Sequence, residues 1–309
     1  MASPESSGSS IRTGIAPSVP ELPISDQYAI CPLEDFGTLR FRGPDAHKFL
    51  QGQLSNDVAR LSSGSILRAG LHNAQGRTLA LLWLAARAGD DVLALLPLEL
   101  VATVATQLRR YLLRAKLTLS DESAQTRIHG IWTRDRSTRP HEPWTLDAHR
   151  VLMIQAANDS APQGEPMTRE QWRGLDIAAG MPQVYAPTSA QFVAQMLNLD
   201  CVDAISFSKG CYTGQEVIAR AHYRGRVKRR MQRFESLAPR RLSAGDAGRF
   251  EDGRSFRIVE AVQRADGCSE FLAVAPLPGV AREPEQGIAS PDAQALRARA
   301  LPLPYALPE

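Results

Sequence analysis

The sequence predicts an α+β fold, on three observations. Strand-like and helix-like segments are mixed through the first part of the chain without strict βαβ alternation. From Arg229 onward the pattern changes to short strands between Gly and Pro turns. No apolar run approaches the roughly 20 residues that a membrane helix needs. The most apolar stretch, LALLWLAA (Leu79–Ala86), has instead the length of a buried strand.

At 309 residues the chain exceeds one typical domain. Its 43% hydrophobic and 22% charged content gives ample material for a core. A net charge of +3 does not by itself imply a nucleic-acid partner, so any basic function must be local. The four cysteines, Cys31, Cys201, Cys211 and Cys268, are far apart, with no CxxC and no His at ligand spacing. That argues against zinc or a self-sufficient iron–sulfur site. With no signal-peptide pattern, free thiols in a reducing compartment are expected.

Residues 1–26, rich in Ser and Pro, read as a disordered tail. One Arg and three acids are the wrong composition for a transit peptide. A reducing compartment reached without import is therefore the expected location, with the mitochondrial matrix as the alternative. Order begins near Tyr28. GTLRFRG (Gly37–Gly43) alternates as a strand. GPDAHKFLQGQL then opens a short helix with Pro44 in its first turn and Phe49, Leu50 and Leu54 facing inward. Residues 65–97 read as strands joined by turns at Asn73–Gly76 and Gly89–Asp91. Leu100, Val101, Val104, Leu108, Tyr111 and Leu112 are spaced for an amphipathic helix. Short strands at Arg127–Trp132 and Val151–Gln155 follow. Thr168 with Gln171 three residues on forms a capping box for a helix that stops at Gly180, before Pro182. Another short helix is expected from Ser189 to about Leu197.

The chemistry concentrates in KGCYTGQEVIAR (Lys209–Arg220). Thr213 and Glu216 stand as T-x-x-E, so Thr213 is expected to cap a helix through Val217, Ile218 and Ala221. Cys211 then lies in the loop before the helix, where the dipole, free N–H groups and Lys209 favour a thiolate. Gly210 and Gly214 let the backbone bend sharply and approach a ligand. Spacing alone leaves two readings open, a small packing residue or a reactive, ligand-contacting sulfur. Glu216 alone reads as a cap rather than a catalyst.

Next, Arg220–Arg233 holds seven Lys/Arg in fourteen residues. It reads either as a solvated segment with snorkelling stems or as a cradle for an anion, a polycarboxylate tail or an RNA phosphate. Tyr223 offers a stacking face, and one aromatic is thin evidence for RNA. Gln51, Gln53, Asn56 and Asp57 are turn formers or the lining of a polar pocket for a heteroaromatic ring. His72 reads as structural. No Ser/His/Asp order, P-loop or GxGxxG after a strand is present.

KGCYTGQEVIARAHYRG resembles the signature of the YgfZ family, folate-binding proteins of iron–sulfur enzyme maintenance and tRNA modification; certain mitochondrial iron–sulfur assembly factors share it. GPDAHKFLQGQLSNDV, WRGLDIAAGMP and LPLPYALP extend the resemblance from about Tyr28 to Pro308. It implies the fold of the glycine cleavage T-protein, an aminomethyltransferase, with three subdomains around a central opening. The implied division is a folate-binding region of two interwoven subdomains (27–228) and a C-terminal β-barrel (229–309).

The resemblance further implies tetrahydrofolate or a derivative as cofactor and no intrinsic metal. Any iron–sulfur cluster would be transient and shared, because one thiol cannot hold it. Iron–sulfur enzymes such as radical SAM tRNA methylthiotransferases are the implied partners of a monomeric, membrane-free protein. Cys211 with Lys209 would carry the chemistry. Gln53, Asn56, Asp57, Tyr212, Gln215, Glu216, Arg220, Arg224 and Arg226 would hold folate. Two departures bear on mechanism. Leu79 and Ala80 stand where T-proteins carry adjacent acids, so aminomethyl transfer has no evident base. Ala178 stands where a pterin-holding Glu is expected, and Asp176 lies on the wrong helix face to replace it. The competing classes are a folate-dependent one-carbon transferase and a non-catalytic tRNA-binding adaptor. The missing acids count against the first, and the near-neutral charge and scarce aromatics against the second.

Overall fold

The structure is a computed structural model and describes residues 28–134, 144–225, 227–279 and 295–308. The expected tail, residues 1–26, lies outside them, as does Arg226.

In chain order, β1 (Ala29–Pro32), β2 (Phe36–Arg42), helix α1 (Ala46–Gln53), β3 (Ile66–His72), β4 (Thr78–Ala86) and β5 (Asp91–Pro97) precede α2 (Leu98–Arg109) and β6 (Thr118–Asp121). The middle holds β7 (Thr126–Trp132), β8 (Trp144–Thr145), β9 (Arg150–Ala156), β10 (Glu165–Pro166), α3 (Arg169–Ala178) and α4 (Gln215–Tyr223). The end holds β11 (Arg229–Ser236), β12 (Ala247–Arg249), β13 (Ser255–Gln263), β14 (Ser269–Pro276) and β15 (Ala298–Leu301). They form three five-stranded sheets, ordered β3-β4-β5-β2-β6, β10-β1-β7-β9-β8 and β12-β13-β14-β11-β15.

The unbroken apolar run of β4 has a direct cause: both faces of its sheet are covered. Leu82 and Leu84 of β4, with Ala94 and Leu96 of β5, join the core that also holds Leu50 of α1 and Val104 of α2. Trp83, Ala85, Leu93 and Leu95 point the other way, into a second core with Ile128, Leu152 and Trp172. Each fully buried Leu contributes about 1.5–3 kcal/mol. Gly130 is required here, since a Cβ would come within 2.5 Å of the Trp172 ring.

The capping box of α3 is present as the sequence predicts, with Thr168 Oγ1 accepting from Gln171 N and Gln171 Oε1 accepting from Thr168 N. The α2 helix ends at Arg109, so Tyr111 falls beyond it and is 47% exposed. The helix expected at Ser189–Leu197 is reduced to a 3-10 turn over Ala194–Leu197, closed by Asn198 at φ 56°.

The C-terminal sheet differs from the expected barrel. Its edges, β12 and β15, are three and four residues long, and no closed barrel forms among the described residues. Near these edges the single isolated bridge Phe250–Leu296 joins the two ends of the sheet. Edge strands this short offer too few ladder groups to close a ring. Phe234, Phe250, Phe256 and Phe271 pack on one face, while Met231, Leu272 and Val274 join the first core on the other. A bulge between Ile258 and Glu260 places Glu260 opposite Leu272 on that inner face. There its buried carboxylate takes Arg173 of α3 and accepts from Tyr185 Oη at 2.5 Å.

Candidate functional site

Two of the motif-bearing stretches meet where α1 ends. Ser55 N donates to Gly70 O at 2.9 Å, its Oγ donates to Ala204 O at 2.8 Å, and its carbonyl accepts from Ser206 N. One serine thus joins the end of α1, strand β3 and the segment leading to Lys209. Lys209 Nζ then donates to Gln51 O at 2.5 Å and Leu54 O at 2.6 Å, the carbonyls left free where α1 stops. The same ammonium lies 5.1 Å from the Tyr212 ring centroid. Burial pushes Lys209 down to about 8, against the pull of Asp57 in the opposite direction, and pushes the Tyr212 phenol up to about 12.

Lys209 and Tyr212 are therefore inward anchors, and Gly210 and Cys211 between them are exposed. This changes the role read for Lys209. Its ammonium binds carbonyls and an aromatic face, which makes it the cap of α1 and the root of the cysteine loop.

The start of α4 also differs from expectation. The N-cap is Gly214, at φ 84°, with no side-chain cap, so Thr213 does not cap and Glu216 stands exposed in the first turn. The turn between β3 and β4 dictates this. A Cβ on Gly214 would lie 2.4 Å from Asn73 O, and a Cβ on Gly76 would lie 3.0 Å from Val217 Cβ. Gln195 Nε2 holds the far side by donating to Ile218 O at 2.6 Å.

Of the four free cysteines, Cys211 is exposed, Cys31 is buried, and Cys201 and Cys268 are intermediate. Burial pushes Cys31 up to about 12 and Cys201 up to about 11. The accessible sulfur is the one in the motif.

The expected folate-binding residues divide. Asn56 is fully buried and donates to Arg68 O and Asp203 O at 2.8 and 2.7 Å while accepting from Asp57 N, so its polar atoms hold the fold. Asp57 accepts from Gln51 Nε2 and Ala59 N. Gln53 and Gln215 are half-buried; Arg220 on α4 and Arg224, the residue that ends it, are exposed. Asp176 accepts from Arg150 at 2.6 Å. Leu79 packs on the first core, and Ala80 is fully buried within it.

Sequence reasoning missed a group on β3. Arg68, Gly70 and His72 alternate onto one face of that strand. Arg68 Nε, both His72 ring nitrogens and Thr78 Oγ1 are buried with no hydrogen-bond partner among the described residues. Burial, with Arg150 nearby, pushes the Arg68 guanidinium below its ordinary value. Burial alone pushes His72 down to about 3, so its ring is neutral at physiological pH. Gly70 makes room, since a Cβ there would sit 2.4 Å from His72 Nε2. The Tyr212 ring is 6.2 Å from His72, which places the His72 ring, with Thr78 opposite it on β4, beneath the cysteine loop. The visible signal was two polar residues around a glycine in an otherwise apolar strand. A separate cavity of about 700 Å³, lined by Phe36, Leu98, Arg127 and His129 among others, contains none of the expected site residues.

Among the described residues, no three His, Cys, Asp or Glu side chains are grouped to hold a metal ion, and no helix is long and apolar enough to cross a membrane. No protein-family profile matches the chain. The glycine cleavage system aminomethyltransferase T of Bartonella henselae superposes with a TM-score of 0.57 at 10% identity, over 81% of this chain and 78% of that one, which shows the fold. The tRNA-modifying protein YgfZ of Serratia proteamaculans is 31% identical over 268 residues, 76% of this chain and 80% of that protein. Its namesake in Yersinia pseudotuberculosis is 30% identical over the same shares. With its signature loop folded around an exposed cysteine on a T-protein framework, the chain belongs to the YgfZ family.

Proposed function

We propose that this protein supports iron–sulfur enzymes that modify tRNA, with Cys211 as the group presented to them and tetrahydrofolate or a derivative as its ligand. The observation that carries the reading is the exposed Cys211 thiol, held between the inward anchors Lys209 and Tyr212. A thiol fixed this way meets a partner at a defined position. One thiolate does not hold a cluster alone, so a cluster reached by Cys211 belongs to, or is shared with, the client enzyme.

The orphaned atoms of Arg68, His72 and Thr78 support a ligand rich in hydrogen-bonding edges. Buried polar groups without partners are costly, and a bound ring with donors and acceptors would satisfy them. Folate, when bound, offers such a ring and a carboxylate tail. The absence of acidic residues from β4 weighs against aminomethyl transfer as the activity.

The test is genetic. In a strain lacking the gene, methylthiolated adenosine in tRNA, measured by mass spectrometry, falls and is restored by the wild-type gene. Unchanged modification in the deletion strain would reject the reading.

A further inference from the structure

The α4 helix packs inward through Ile218 and leaves Arg220, Tyr223 and Arg224 exposed. At its end three rings gather. His222 stacks on Phe207 with centroids 3.7 Å apart and planes at 13°. Tyr223 stands edge-on to both, 4.7 Å from His222 and 6.2 Å from Phe207. Phe207 comes from the segment before Cys211 and His222 from the end of α4, so their stack clips together the two ends of the cysteine loop and helix. Tyr223, outermost in the group, is 68% exposed.

From these observations we propose that this face binds an unpaired stretch of RNA, with the rings stacking on bases and Arg220 and Arg224 meeting the adjoining phosphates. The proposal names the partner chemistry of the cysteine loop and rests on the tRNA-modification reading. In the sequence Tyr223 stands as a lone aromatic. The fold adds two rings to it and holds all three in contact, so the platform is ordered before a base arrives.

Charge favours RNA over a protein partner. Neither Arg220 nor Arg224 has an ion-pair partner among the described residues. The helix carries one acid, Glu216, in its first turn, where the dipole favours it. The exposed large aliphatic on this helix is Val217 alone, at 39%, so beyond the rings the face is polar and basic. Two guanidiniums beside an aromatic step match alternating phosphate and base. The unpaired state follows from the rings, because a duplex keeps its base faces stacked internally.

The full-length protein should bind fluorescently labelled oligoadenylate more tightly than the same strand paired with oligouridylate. Tyr223→Ala should weaken oligoadenylate binding roughly fivefold to a hundredfold while leaving the slope against salt and the affinity for inorganic polyphosphate unchanged. Tyr223→Phe should retain binding, which separates ring stacking from misfolding. Arg220→Ala with Arg224→Ala should lower the salt slope by roughly 0.7 for each phosphate no longer neutralised. Absence of saturable binding at low salt, equal affinity for the duplex, or indifference to Tyr223→Ala would overturn the proposal. The assay contains no client enzyme and no folate. If deletion lowers tRNA methylthiolation while the purified protein ignores oligoadenylate, this proposal falls and the functional reading stands.

Discussion

Lys209 Nζ donates to the Leu54 carbonyl at 2.6 Å. That bond joins the end of α1 to the loop that carries Cys211. A buried ammonium placed on helix-terminal carbonyls gains from the negative end of the helix dipole. It also gives stability a pH dependence. The unfolded chain keeps its lysine proton up to the ordinary value of 10.5, whereas the folded chain releases it near about 8. Raising the pH through that window therefore removes a burden carried by the folded state alone, and this contribution makes stability rise. Lys209→Met should abolish this rise in urea denaturation, and at neutral pH should destabilise by about 1–3 kcal/mol because two carbonyls lose their donor. An identical pH profile for the variant would contradict the assignment.

Two glycines of the motif should behave oppositely. Gly214→Ala forces a left-handed φ of 84° on a residue with a Cβ and drives that carbon to 2.4 Å from Asn73 O. The expected loss is about 2 kcal/mol or more. At Gly210 a Cβ meets nothing within 4 Å. Gly210→Ala should change stability by less than about 0.5 kcal/mol. Thermal denaturation of the two variants decides it.

Arg68 tests the ligand assignment. Arg68→Met removes a half-buried guanidinium whose Nε is buried without a partner, so the ligand-free protein should gain stability, by up to about 1 kcal/mol. Affinity for 5-formyltetrahydrofolate, followed by calorimetry, should fall at least about tenfold, or about 1.4 kcal/mol. Greater stability with unchanged affinity would remove Arg68 from the folate site.

The cysteines should label in order of access. In the folded protein a maleimide should modify Cys211 first and Cys31 last, since Cys31 is buried and its thiol is pushed up to about 12. Peptide mass spectrometry over time gives the order, and early loss of Cys31 would contradict the fold around β1.

Local signals in the sequence carried far where one segment decides its own structure. The Thr168–Gln171 box needs only its own helix and formed as predicted. The apolar run of β4 was legible as a buried strand because covering both faces leaves no polar positions. Thr213 failed as a cap because the β3–β4 turn presses on Gly214, a contact between segments far apart in the chain. Lys209 was read beside its neighbour Cys211, but its partners come from α1. The barrel was over-read because strand count does not reveal that β12 and β15 are too short to close. The matched stretches pair in space. LPLPYALP meets the end of α3 where Tyr305 Oη donates to Gly180 O at 2.7 Å, as α1 meets the cysteine loop.

The Cys211 thiol is proposed as the acting group. Its most direct test compares single serine variants at Cys31, Cys201 and Cys211 in the deletion strain, at matched protein levels, by the ratio of methylthiolated to unmodified adenosine in tRNA. Cys201→Ser should restore the ratio, Cys31→Ser should restore it in proportion to its folded amount, and Cys211→Ser, although folded, should leave it at the deletion level. Full restoration by Cys211→Ser would show that the thiol is not the acting group.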